Sequence, residues 1–139
     1  MFLLKALVKA ALEARQYAYA PYSTLRVGAA LLGENGVVYT GCNVENASYG
    51  LTCCAERVAL FKAVSTGVKS FTAIAIASDS NKHISPCGAC RQVLAEFGQN
   101  IMVYMANQRG DWVEKTMAEL LPVGFHLTSA KGKGASCDG

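Results

Sequence analysis

The chain has 139 residues, of which 52% are hydrophobic and 17% charged, and its formal net charge is +3 at pH 7. That length suits one ordinary domain, so we expect a single domain over residues 1–139 without a regulatory module. The charges are scattered rather than gathered into a basic stripe, and no apolar run reaches 18 residues, so the sequence argues against a nucleic-acid partner and a membrane span.

The first predicted element is an amphipathic helix that Pro21 ends. Its apolar positions recur at helical spacing: Leu4, Leu7, Val8, Ala11 and Leu12. Lys5 and Lys9 interrupt the apolar run where a secretory signal would be continuous. Six cysteines without such a signal are typical of a reducing compartment, so we expect a cytoplasmic protein.

The next segments predict an α/β fold. Residues 26–32 and 37–44 are apolar, β-branched runs joined by GENG, a strong hairpin signal. The pattern then predicts a helix over residues 52–64, a buried strand over 71–77, a helix over 88–97 and a buried strand over 101–106. The order βαβαβ favours a central sheet with parallel neighbours.

The C-terminal part predicts one more strand and a short helix. The connection NQRG is too short for a crossover, so residues 111–115 should run back antiparallel. A short helix follows over residues 116–121 and stops at Pro122, and the tail from Ser129 is expected to fray. The predicted sheet is therefore five-stranded and mixed.

Two cysteine clusters, CCAE from Cys53 and PCGAC around Cys87 and Cys90, each begin a predicted helix. Helix N-termini that follow strands of one sheet can face one another, and their amides stabilise thiolates. Cys87 and Cys90 are three residues apart, so their sulfurs can share a metal. Tetrahedral zinc then needs one more protein ligand for an open catalytic site, or two more for a closed structural one.

The choice between these sites depends on Cys53 and Cys54. Adjacent helical residues point about 100° apart, which makes it awkward for both to bind one metal. A carboxylate two residues after a ligand can reach water on the metal as a general base. The spacing CxE therefore favours Cys54 as the ligand and Glu56 as the proton shuttle, and leaves Cys53 as filler.

These motifs resemble the zinc-dependent nucleoside and nucleobase deaminases, whose signature is HxE followed by PCxxC, with a three-cysteine ligand set allowed. Five segments in order are similar to the small homotetrameric cytidine deaminases over residues 22–125: YSTLRVGAALL, GCNVENASYG, CAERVALFKAVS, SPCGACRQVL and ELLP. The resemblance implies a three-layer αβα cytidine-deaminase-like fold, with an N-terminal hairpin and an antiparallel last strand. The implied reaction is zinc-dependent deamination of free cytidine and deoxycytidine in pyrimidine salvage, with release of ammonia.

The resemblance also implies the roles of the residues around the metal. One Zn²⁺ per subunit would be held by Cys54, Cys87 and Cys90. Glu56 would move a proton from water to N3 of the cytosine ring and would then pass a proton to the departing amine. Three thiolates make the site net negative, and Arg57 would withdraw charge by donating hydrogen bonds to them.

The implied substrate contacts are Asn43, Glu45, Ala55, Leu25, Phe125 and Tyr49. Asn43 and Glu45 would bind the ribose hydroxyls, and the charge of Glu45 disfavours phosphorylated substrates. Phe125 would stack on the base from a neighbouring subunit, in a homotetramer with shared active sites, and Tyr49 would line the same interface. Leu25 stands where the family usually has phenylalanine, so it covers the base by apolar contact without aromatic stacking.

Three other interpretations remain open at this point. CGAC alone is also the redox motif of thioredoxin-like proteins, and the four clustered cysteines could form a structural zinc module. A nucleic-acid editing deaminase shares the metal chemistry. Asn43 and Glu45 could be turn and cap residues, His83 and His126 are expected to be solvated or interface residues, and Cys42 and Cys137 are expected to be packing or free thiols.

Overall fold

The computed structural model describes residues 2–127. Within them the helices are α1 (Phe2–Ala14), α2 (Ala55–Ser65), α3 (Gly88–Ala95) and α4 (Met117–Leu120). The strands are β1 (Val27–Gly33), β2 (Val38–Cys42), β3 (Phe71–Ser78), β4 (Met102–Ala106) and β5 (Trp112–Thr116). The tail from Ser129, with Cys137, lies outside the described residues.

The strands form one mixed sheet in the order β2-β1-β3-β4-β5. The predicted hairpin is present, because β1 pairs antiparallel with β2, and β5 pairs antiparallel with β4 as expected. Among the neighbouring strands, β3 and β4 are parallel, whereas β2 and β3 both flank β1 and run antiparallel to it. The crossover through α2 therefore passes over β1, and the prediction of parallel neighbours holds for β3 and β4 alone.

The position of β1 follows from its burial. Six of its seven residues are buried, so both of its faces need cover, whereas β2 is largely half-buried or exposed and suits an edge. Alternate residues of β1 then serve the two faces of the sheet, with Leu31 in one core cluster and Ala30 in the other.

The two faces carry side chains of different size. The face under α1 is built largely from alanines, among them Ala30, Ala73, Ala75 and Ala77. The opposite face, under α2, α3 and α4, contains Leu31, Ile74, Ile76 and Val103. Small side chains let α1 approach closely: a Cβ on Gly28 would lie 2.0 Å from the carbonyl oxygen of Ala11. The result is the expected three-layer αβα arrangement.

Three helix boundaries differ from the sequence prediction by two residues or more, and one of them is the end of α3, at Ala95 rather than at residue 97. The first helix ends at Ala14 and continues as a 3₁₀ turn over Arg15–Tyr17, well before Pro21. The second begins at Ala55 rather than at residue 52, because Cys53 exchanges two backbone hydrogen bonds of 2.9 Å with Val44. This tertiary pairing keeps Cys53 in an extended conformation, so the helix begins after Cys54, which is its N-cap. Each helix within residues 2–127 is too short or too polar to cross a lipid bilayer.

Candidate active site

The N-termini of α2 and α3 meet at one edge of the sheet. Strands β2 and β3 run in the same direction, so the helices that follow them begin at the same edge. Cys54 is the N-cap of α2 and Cys87 the N-cap of α3, and their sulfurs lie 3.8 Å apart. The ligand atoms of Cys54, Cys87 and Cys90 all lie within 4.8 Å of one another.

Backbone packing fixes the first turn of α2. A Cβ on Gly41 of β2 would lie 2.5 Å from both the carbonyl oxygen of Ala55 and the amide nitrogen of Ala59. Only glycine lets the helix rest directly on the strand at this point. The place of Cys54 at the helix start is therefore set by the edge strand beneath it.

The start of α3 is fixed by Arg91. Its Nε donates to the carbonyl of Pro86 at 2.8 Å, and its Nη2 donates to the hydroxyl of Ser85 at 2.6 Å. The sulfur of Cys87 accepts from the amide of Cys90 at 3.5 Å, as an N-cap side chain does. These contacts hold the segment that carries Cys87 against the first turn of the helix.

Cys53 stands apart from the other thiols. Within residues 2–127, Cys54, Cys87 and Cys90 form the one group of three or more His, Cys, Asp or Glu side chains close enough to hold a metal. The four-cysteine set of a closed structural site is not assembled there. Burial raises the pKa of Cys53 and of Cys42, so both thiols favour the protonated form.

The charge balance of the cluster favours a thiolate at Cys54. Hydrogen bonds from the Cys90 thiol, from Arg57 and from Cys87 lower the pKa of Cys54 to about 5. The contact from Arg57 runs from Nη2 to the sulfur at 3.3 Å, and the same nitrogen is 3.4 Å from the carbonyl of Thr52. The pKa of Cys90 is raised, first because its thiol donates to Cys54 and then by burial.

This arrangement fits one zinc ion. Tetrahedral zinc binds thiolates at about 2.3 Å, which places the sulfurs about 3.8 Å apart. The distance between Cys54 and Cys87 matches that spacing. Three protein sulfurs leave the fourth position open, and the exposure of Cys87 places the cluster at a solvent-accessible edge.

Glu56 lies beside the cluster in the first turn of α2. Its side chain is buried, with 4% of the residue exposed, and it lines a cavity of about 240 Å³ together with Cys54 and Cys87. Burial raises the pKa of Glu56 to about 7, and the charge of Cys54 acts in the same direction. A carboxyl group with this pKa can both accept and release a proton near neutral pH.

Four of the expected substrate contacts, Leu25, Asn43, Glu45 and Ala55, line the same cavity. The amide group of Asn43 also bridges backbone: Oδ1 accepts from the amide of Val27, and Nδ2 donates to the carbonyl of Leu25, each at 2.9 Å. Asn43 therefore faces the cavity and holds the segment that carries Leu25.

Glu45 is held by the same loop. Its Oε1 accepts from the backbone amides of Tyr22 and Ser23 at 3.0 and 3.1 Å, and Oε2 accepts from the hydroxyl of Ser23. The Ser23 hydroxyl, with these two amides, lowers the pKa of Glu45. The residue is therefore a carboxylate at neutral pH. Its contacts with residues 22 and 23 are those expected of a turn residue, but Glu45 also lines the cavity.

Tyr49 and Phe125 lie outside this cavity. Tyr49 lines an adjoining cavity of about 240 Å³ that shares Ser23, Glu45 and Thr52 with the first, and its ring meets that of Tyr22 at 5.9 Å. Phe125 is 67% exposed. The cavity is therefore lined by seven of the predicted site residues: Leu25, Asn43, Glu45, Cys54, Ala55, Glu56 and Cys87. The side chains of Tyr49 and Phe125 lie at the surface.

Sequence reasoning missed several residues around the cavity. Ser23, Val27, Thr52, Ile84 and Ser85 also line it. The motifs could have predicted Ser23 and Ser85, because Ser85 directly precedes PCGAC and Ser23 lies in YSTL. The roles of Val27 and Ile84 depend on long-range packing, for which the local pattern gives no signal.

Comparison with known proteins identifies the family. The model of the cytidine and deoxycytidylate deaminase zinc-binding region matches residues 2–106, which include both cysteine motifs. The chain belongs to this family. Membership agrees with the three-thiol cluster and separates the chain from thioredoxin-like redox proteins.

Named members of the cytidine and deoxycytidylate deaminase family are similar over most of the chain. A cytidine deaminase of Sporosarcina psychrophila is 57% identical over 81% of this chain and 84% of its own length. One from Halalkalibacterium halodurans is 54% identical over 86% of this chain and 91% of its own. The crystal structure of cytidine deaminase from Burkholderia pseudomallei has a TM-score of 0.83 and 50% identity, covering 86% of this chain and 97% of that one.

Proposed function

We propose that this chain is a zinc-dependent cytidine deaminase, which hydrolyses free cytidine and deoxycytidine to uridine and deoxyuridine with release of ammonia. The observation that carries the proposal is the cavity in which buried Glu56 lies beside Cys54 and Cys87. The cytidine deaminases of S. psychrophila and H. halodurans, 57% and 54% identical, support the substrate.

In this proposal Cys54, Cys87 and Cys90 hold one zinc ion per subunit. When bound, zinc supplies a Lewis acid that makes water nucleophilic near neutral pH. Arg57 donates to the sulfur of Cys54 and so offsets part of the negative charge of three thiolates. The N-termini of α2 and α3 contribute in the same direction through the dipoles of the two helices.

Glu56 moves the protons of the reaction. Its carboxylate accepts a proton from the attacking water and delivers it to N3 of the cytosine ring. It then takes the proton of the hydroxyl group that has added to the amine-bearing carbon and passes it to the departing amine, so that the carbonyl of uridine forms and ammonia leaves as a neutral molecule. The pKa of about 7 suits both steps, because neither protonation state is strongly disfavoured at neutral pH.

The other residues of the cavity select the substrate. Asn43 and Glu45 bind the ribose hydroxyls with the hydrogen-bonding capacity that the loop leaves free, while Leu25 and Ala55 give apolar contact. Glu45 is a carboxylate in the cavity, so a nucleotide phosphate near it would be repelled. Free nucleosides are therefore the proposed substrates, rather than nucleotides or polynucleotides.

The active enzyme in this proposal is a homotetramer with shared sites. Several large apolar side chains are exposed near the cavity mouth and on the C-terminal segment: Tyr49, Leu51, Val123, Phe125 and Leu127. Exposed apolar groups of this kind are typical of subunit interfaces. Phe125 then stacks on the base bound by a neighbouring subunit, and Tyr49 lies in the same interface.

The remaining parts of the proposal concern organisation and location. Residues 1–139 form one deaminase domain, and the enzyme works in the cytoplasm in pyrimidine salvage. The free thiols of Cys54, Cys87 and Cys90 support this location, because they must stay reduced to bind a metal.

The test is an absorbance assay for loss of the cytidine chromophore with zinc-loaded protein. Cytidine and deoxycytidine should be converted, whereas cytidine monophosphate, adenosine and a single-stranded cytosine oligonucleotide should not. Conversion of the oligonucleotide without conversion of cytidine would favour a nucleic-acid editing enzyme instead. A protein that binds zinc and converts none of the five would contradict the proposal.

A further inference from the structure

Gln92, two residues after Cys90, forms two hydrogen bonds with the backbone of Phe125. Its Nε2 donates to the carbonyl of Phe125 at 2.8 Å, and its Oε1 accepts from the amide of Phe125 at 3.0 Å. One side-chain amide thus satisfies both backbone groups of a single residue, which fixes the position of its Cα and the direction of its side chain.

The segment around Phe125 depends on this contact. Residues 122–125 belong to no helix or strand and make no backbone-to-backbone hydrogen bond within the described part of the chain. Pro122 has no amide hydrogen to donate. Just before it, the carbonyl of Leu120 accepts from Nη1 of Arg91 at 2.9 Å. Gln92 therefore attaches the segment itself, and its neighbour Arg91 attaches the end of α4 that precedes it.

We propose that Gln92 is a positioning residue for the shared active site: it holds Phe125 where its exposed ring meets the base in a neighbouring subunit. This inference rests on the proposed function, in which Phe125 stacks on that base. The helix that carries Cys90 of one site then also places the aromatic cover of another site. Gln92 itself does not line the cavity that contains Cys54, Glu56 and Cys87.

The variant Gln92→Glu tests the role with little change of shape. A carboxylate still accepts from the Phe125 amide, but it cannot donate to the Phe125 carbonyl and repels that oxygen. Loss of one hydrogen bond should raise KM for cytidine about fivefold with kcat within about twofold, because stacking contributes to ground state and transition state alike. Zinc content should not change.

Gln99→Glu is the matched control. Gln99 is also half-buried, and its side chain makes no hydrogen bond to the described residues, so the same change there should leave KM unaltered. The decisive readout is a double-mutant cycle with Phe125→Leu. If Gln92 acts through the ring of Phe125, the substitution Gln92→Glu should add less than about twofold to KM when Phe125→Leu is already present.

The outcomes separate the inference from the proposed function. A raised KM in Phe125→Leu together with an unchanged KM in Gln92→Glu overturns the inference and leaves the proposed function standing. The same conclusion follows if Gln92→Glu raises KM fivefold both in the wild type and in the Phe125→Leu variant. An unchanged KM in Phe125→Leu overturns the proposed role of Phe125 and the inference with it. If Gln92→Glu loses zinc, the double-mutant cycle with Phe125→Leu is measured with Gln92→Ala instead. That variant removes both hydrogen bonds to Phe125 without adding charge.

Discussion

Nη2 of Arg57 donates to the sulfur of Cys54 at 3.3 Å, which pairs a permanent cation with the thiolate at the start of α2. Removal of the cation in Arg57→Ala takes away one of the positive groups that offset the charge of the three thiolates. Residues that support metal ligands in this way typically account for about 10–100-fold in metal affinity or activity. We expect a loss of that size in kcat/KM at saturating zinc, measured against Arg109→Ala, an exposed arginine far along the chain on the β4–β5 turn.

Glu56→Gln should abolish turnover while zinc stays bound. Glutamine keeps the size of the side chain but cannot accept and return a proton. General acid–base catalysis contributes about 10²–10⁴-fold, so kcat should fall by at least that factor. Zinc content by metal analysis should remain one per chain, and Glu96→Gln, at an exposed position on the C-cap of α3, should behave as wild type. Near-normal activity in a zinc-loaded Glu56→Gln enzyme would remove Glu56 from the mechanism.

The two adjacent cysteines should respond oppositely to substitution. Cys54→Ala removes a sulfur that lies 3.8 Å from that of Cys87, so zinc and activity should be lost together. Cys53→Ala leaves the backbone pairing with Val44 intact and should keep both. Metal analysis and the cytidine assay on the two variants decide the assignment, and the reverse pattern would show that Cys53 is the ligand.

Gly41→Ala should destabilise the fold and weaken zinc binding by displacing the start of α2. The new Cβ would lie 2.5 Å from backbone atoms of Ala55 and Ala59, so α2 must move away from β2. Overpacking of this kind costs about 1–3 kcal/mol, and the shift should also weaken zinc binding, because Cys54 begins the displaced helix. Gly88→Ala is the control for unfolding of the metal-free protein, since a Cβ there meets nothing within 4 Å. Equal unfolding midpoints for the two variants would contradict the packing argument.

Asp79 should stabilise the fold in a pH-dependent way. The pKa of Asp79 is lowered, first by its hydrogen bond from Arg26, whose Nε lies 2.8 Å away, and then by the charges of Arg26 and Arg15. The folded-state pKa lies below the unfolded value of about 3.9, so the stabilisation is present above that pH and disappears as pH falls through the folded pKa. The difference in free energy of unfolding between wild type and Asp79→Asn should therefore be larger at pH 6 than at pH 2.5. A difference that does not change with pH would show that the ion pair contributes nothing.

Local pattern was sufficient for the order of the elements and for the cysteine motifs. Apolar runs and the turn residues between them identified β1 to β4 to within one or two residues, and the short connection NQRG predicted β5 as an antiparallel strand. The three-residue spacing of Cys87 and Cys90 predicted that their sulfurs would meet, because residues three apart lie on one side of a helix, and the spacing CxE favoured Cys54 over Cys53 as the third ligand. Helix α2 was misplaced at its start because the pairing of Cys53 with Val44 is a tertiary contact.

Strand order and the hydrogen bonds between a side chain and distant backbone could not be predicted from local sequence pattern. The place of β1 between β2 and β3 depends on which strand needs cover on both faces, and the sequence gives the apolar content of each run but not its neighbours. The contacts of Gln92 with Phe125 join residues 33 positions apart. Such contacts leave no periodic signal, because a glutamine on a half-buried helix face is compatible with many partners.

The two residues proposed to hold the sugar also hold the loop that carries Leu25. Asn43 and Glu45 give part of their hydrogen-bonding capacity to the backbone of residues 22–27 and face the cavity with the rest. In the proposed enzyme, the choice of sugar and the shape of the base pocket therefore depend on the same two side chains. A substitution that relaxes the choice of sugar also releases the wall of the base pocket, so new sugar preferences at this site call for a rebuilt loop rather than a single exchange.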